Sequence, residues 1–96
     1  MNYMHKNDLS KNIEDWDQVC VVTVFLGKKE QAKFICNSFE SSDRWIHLNK
    51  VYMLSGKNII DEKVERFSST FSEQETIDVK TLKKEDFLAK LDKNNI

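Results

Sequence analysis

Residues 18–39 read QVCVVTVFLGKKEQAKFICNSF, the pattern of a β-hairpin around which a sheet can be built. Six of its first nine residues are β-branched or aromatic, and apart from Gln18 and Thr23 both alternating rows are apolar. Cys20, Val22, Val24 and Leu26 form one row; Val19, Val21 and Phe25 form the other. A strand that is apolar on both faces belongs in the middle of a sheet covered on both sides. Gly27-Lys28-Lys29 supplies a turn, and residues 30–39 return as a second strand with Ala32, Phe34 and Cys36 on one face. The register of this hairpin hangs on one residue. A three-residue loop over Gly27, Lys28 and Lys29 sets Cys20 opposite Cys36, whereas a two-residue turn with Gly27 first, the preferred chemistry, sets Cys20 against Ile35.

Downstream, Ser41-Ser42-Asp43 is a turn cluster, and a third strand is predicted from Arg44 to Leu54. Its even positions, Ile46, Leu48, Lys50, Tyr52 and Leu54, make the better core face. Trp45, His47 and Asn49 are left on the other side, facing a covering helix or a partner. A turn at 55–58 precedes a strand near 63–71 with Phe67 and Phe71 inward, then one at 76–82 with Ile77 and Val79 on one face. Leu9, Ile13 and Trp16 fall at i, i+4 and i+7, the stripe of a short helix over 9–16 capped by Asp8 or Ser10. A second helix is expected from Lys84 to Asp92, with acidic residues in its first turn and Lys90 in its last. With Lys83 as its cap, Leu82 can pack on Phe87 as a hydrophobic staple.

The fold class that follows is mainly β, with α+β character at the edges. It is a small antiparallel meander or half-open barrel of four to five strands, with a short N-terminal helix and a C-terminal helix. Such a sheet protects its edges best by curling. An SH3-like or Sm-like barrel suits the element order better than an OB-fold, which would place a helix between strands three and four. Residues 9–92 read as one compact domain, with loose ends at 1–8 and 93–96.

Composition narrows the function classes. The 96 residues carry 15 basic and 16 acidic side chains for a net charge of −1, and only two of the basic residues, Arg44 and Arg66, are arginines. No global field therefore favours a phosphate backbone or an anionic membrane. The longest apolar run, residues 19–26, falls far short of the ~20 residues needed to span a bilayer. The N-terminal residues lack the apolar core of a secretory leader, so a cytoplasmic location is expected.

Several residues could be drawn into chemistry. Cys20 and Cys36 lack the close spacing of a zinc site and read as small buried hydrophobes, with a redox pair as the alternative. Pairing either with His47 as nucleophile and base has no motif behind it, and His5 lies outside the expected domain. Asp61, Glu62, Glu65, Glu73 and Glu75 lack the spacing and glycine of a calcium loop and read as a solvated face. The two glycines are isolated in turns, so there is no phosphate loop. No cofactor, metal or catalytic group is expected.

What remains is a surface. The expectation is a small non-catalytic protein-binding or regulatory module, an adaptor, inhibitor or small subunit, using Arg44, Trp45, His47 and Asn49. Tryptophan and arginine are the residue types most enriched at binding hot spots. Self-association or a protein partner is expected, and size alone also suits a phage or mobile-element protein that blocks a host factor. The alternative is a nucleic-acid-binding small barrel that uses a basic tip of Lys28, Lys29 and Lys33.

Overall fold

The computed structural model describes residues 3–4, 6–55 and 58–92, with side chains described over 9–54 and 68–91. The expected loose C-terminus at 93–96, His5, Gly56 of the expected turn and the side chains of Asp61, Glu62, Glu65 and Phe67 lie outside that description. Of the expected loose N-terminus, residues 3–4 and 6–8 are described, in backbone only. The elements are β1 (Tyr3–Met4), α1 (Lys6–Asn12), β2 (Gln18–Leu26), β3 (Lys29–Cys36), β4 (Ser38–Ser42), β5 (Trp45–Ser55), β6 (Asn58–Thr70), β7 (Glu75–Lys83) and α2 (Lys84–Asp92). All strand pairs are antiparallel, in the order β1-β6-β5-β3-β2-β7, with β4 pairing β5 off this path. The long strands form a curled half-barrel with a small helix near the N-terminus and a short one at the C-terminus, as the sequence implied.

The connection from β6 to β7 explains the curl. In a flat sheet these strands would stand four strand spacings apart (β6–β5, β5–β3, β3–β2, β2–β7), about 19 Å. Only residues 71–74 join them, and five fully extended Cα steps reach at most about 18 Å. The link also turns, the Glu75 N–H donating to the Ser72 carbonyl at 3.1 Å. The sheet must therefore bend until its two ends approach.

Strand β2 is the central, doubly covered strand that its two apolar rows demand. Val19 and Val21 face the helices, in a cluster with Leu9, Ile13, Trp16, Ile35 and Phe87. Cys20 and Val22 face the barrel interior, with Cys36, Ile46, Leu48 and Val51. Helix α1 starts at Lys6 and ends at Asn12, earlier than the expected 9–16, so Asp8 and Ser10 lie inside it and do not cap it. The Leu9, Ile13 and Trp16 stripe is nonetheless buried, because the Ile13 N–H still donates to the Leu9 carbonyl at 2.9 Å and Trp16 follows through a turn. Helix α2 spans the expected residues, and Leu82 packs against the cluster holding Phe87.

The β2–β3 hairpin uses both of the turn solutions that the sequence left open. Leu26 pairs with Lys29 across a two-residue turn in which only Gly27 has positive φ (64°), the type II′ pattern. A register shift then inserts Gln31, so from Val24 inward the pairing is that of the longer loop, and Cys20 faces Cys36. The expected strand at 30–39 is divided at Asn37 into β3 and β4, and strand pairing runs through Ser42, into the expected turn cluster. Opposite the bend, Lys50 takes φ of 50°. Beside it β6 carries two extra residues, since Val51 pairs with Val64 but Met53 with Ile60.

Candidate binding surface

The left-handed backbone at Lys50 reverses which side of the sheet each row of β5 faces. Before it, Ile46 and Leu48 point into the barrel interior; after it, Val51 takes that role and Tyr52 and Leu54 pack toward the helices. The even row expected to form one core face is thus divided between two clusters on opposite sides of the sheet. Tyr52 meets Trp16 at 6.1 Å between ring centroids, which ties the lower half of β5 to the segment following α1.

Trp45, His47 and Asn49 occupy the outer side of the upper half, beyond the helical cover. Trp45 is 53% exposed, while His47 and Asn49 are half-buried. Across β4 their register partners are Ser42, Glu40 and Ser38, and across β6 they are Thr70, Ser68 and Arg66. The Asn49 amide donates from Nδ2 to Ser38 Oγ at 3.0 Å, which fixes one end of the row. Glu40, Ser41, Ser42, Trp45 and His47 line an open depression of about 590 Å³. An indole thus stands on a rigid strand, with hydroxyls and a carboxylate around it. This arrangement can offer apolar contact area and hydrogen bonds to a partner.

Arg44 does not join this row. It sits in the β4–β5 turn at φ of 69°, donating from Nη1 to the Ser72 carbonyl at 3.0 Å, with its guanidinium 5.5 Å from the Phe71 ring centroid. The Phe71 N–H donates back to the Arg44 carbonyl at 3.2 Å. Arg44 therefore clasps the β4–β5 turn to the β6–β7 link, one position beyond the Trp45–Thr70 pair of β5 and β6. Behind the clasp lies a cavity of about 170 Å³, lined by residues that include Val24, Phe34, Ile46, Leu48 and Phe71.

The three lysines of the expected basic tip are likewise separated. Lys28 and Lys29 are exposed at the hairpin turn. Lys33 lies across from Thr23 with a side chain only 20% exposed, 3.5 Å from Glu30 Oε1. It lines a groove of about 130 Å³ with Lys80, Lys90 and Asp78. Sequence spacing could not reveal that grouping, because it joins three elements.

Cys20 and Cys36 are free thiols on the interior side, 2% and 0% exposed. Burial, with the Cys20 thiol beside it, pushes the Cys36 thiol up to about 12, so it stays protonated near neutral pH. His47 points from the outer side of the sheet, so the drawn Cys–His pair does not form. Among the described residues no three His, Cys, Asp or Glu side chains are grouped to hold a metal ion. Nor is any helix among them long and apolar enough to cross a membrane. No protein-family model, curated protein or solved structure matches the chain.

Proposed function

We propose that the protein is a small non-catalytic binding module, an adaptor, inhibitor or small subunit. It meets a protein partner through the outer face of β4, β5 and β6, with Trp45 at the contact. The observation that carries this reading is an indole 53% exposed in a paired strand, on the half of the sheet that the helices leave bare. Large aromatics held on rigid elements give contact area at low entropic cost. His47 and Asn49 extend the row, while Arg44 holds the adjoining turn in shape. The nucleic-acid alternative has less support, since Lys33 is drawn away from Lys28 and Lys29 into the groove with Asp78.

The test is affinity capture from native extract with the wild-type chain, Trp45→Ala and Leu26→Ala. Leu26 is the other exposed large apolar side chain among the described residues, 45% exposed at the end of β2. A protein retained by the wild type and by Leu26→Ala, and lost with Trp45→Ala, is the expected result. Equal retention by Trp45→Ala, or no retained protein at all, would overturn the reading.

A further inference from the structure

Cys20 and Cys36 are the chain's two cysteines. They are register partners on adjacent antiparallel strands, and both face the same interior cluster. The Cys36 thiol donates to the Cys20 carbonyl at 3.8 Å, and Cys20 Sγ lies 3.9 Å from Thr81 Oγ1. Their opposition depends on the extra residue Gln31, without which the two-residue turn would set Cys20 against Ile35. Directly opposed residues have Cβ atoms roughly 4.5–5.5 Å apart, and a disulfide needs roughly 3.5–4.5 Å. Closure asks for a movement of about 1 Å between two strands already paired.

We propose that Cys20 and Cys36 are a redox dithiol that closes to a cross-strand disulfide by exchange with a small-molecule disulfide such as oxidised glutathione, and that the fold favours the closed form. One cysteine thiolate attacks a glutathione sulfur, forming a mixed disulfide and releasing one glutathione thiolate. The second cysteine thiolate then attacks the protein sulfur of that mixed disulfide. The Cys20–Cys36 bond forms and a second glutathione leaves. Two thiols are oxidised, one glutathione disulfide is reduced, and the two cysteine protons end on the two glutathione thiols. Burial makes the exchange slow, because β2 and β3 must part for glutathione to enter; it does not set the equilibrium. The bond would sit one residue before the bend at Asn37, and so fix the pivot from which β4 runs along the Trp45 row.

The test equilibrates the full chain with reduced and oxidised glutathione, approached from both the oxidised and the reduced protein, in native buffer and in concentrated urea. The intramolecular disulfide is quantified as protein two hydrogens lighter, with Cys20 and Cys36 joined in the peptide map. A fold that favours the bond makes its equilibrium constant larger in the native protein, by roughly tenfold or more for a loop of this length after some strain. A Cys36→Ala variant shows no such species. An equilibrium constant equal to or below that in urea would overturn the proposal, as would native oxidation that yields only intermolecular dimers.

Discussion

At Lys50 the backbone enters the left-handed region, where a side chain bearing Cβ costs roughly 1 kcal/mol or more. Nothing in the residue type announces this, since lysine is not one of the residues that favour positive φ. A strict period of two therefore runs the even row straight through and places Tyr52 and Leu54 beside Ile46 and Leu48. All four are drawn toward the core, but to opposite sides of the sheet. Cys36 allows a test at the same scale. Its folded-state value is raised to about 12 from an ordinary 9.0, so between these pH values the unfolded chain sheds a proton that the folded chain keeps. The unfolded state then binds fewer protons, so this contribution is complete below pH 9.0 and is lost as pH rises toward about 12. Urea unfolding across that range should show a steeper alkaline loss for the wild type than for Cys36→Ala. Parallel curves would contradict the assignment.

Among the elements, those set by uninterrupted patterns were legible from the chain. The two apolar rows of β2, the Gly27 turn, the alternation of Ile77 and Val79 and the staple of Leu82 with Phe87 each follow from local chemistry. The bend at Asn37 was not legible, because it answers the irregularity at Lys50 on the neighbouring strand. The Asn37 Oδ1 is buried without a hydrogen-bond partner there, and the Asn37 N–H donates to the Asn49 carbonyl at 3.2 Å. Arg44 was legible as a residue flanking the tryptophan, but not as a clasp, since its partners are Phe71 and Ser72 on a distant link. Arg44→Ala removes a charge-assisted hydrogen bond and a cation–aromatic contact, both partly exposed. The expected loss is about 1 kcal/mol in urea unfolding. Unchanged stability would show that the turn is held by the Phe71–Arg44 backbone bond alone.

At the scale of the whole molecule, two apolar clusters lie on opposite sides of one curled sheet. The helices cover the outside of its lower half, and the interior of the barrel fills the inside. The outer upper half, with Trp45, His47 and Asn49, is what neither cluster claims. The sequence posed that row as a choice between a covering helix and a partner, and the switch of facing at Lys50 explains why the helices meet Tyr52 and Leu54 in its place. The chain's two tryptophans separate the alternatives. Trp16 is 5% exposed and Trp45 is 53% exposed. Iodide quenching of Trp16→Phe, which leaves only Trp45, can be set against Trp45→Phe, which leaves only Trp16. Ready quenching and red-shifted emission are expected from Trp45, with protected, blue-shifted emission from Trp16; a Trp45 as protected as Trp16 would contradict an uncovered outer face.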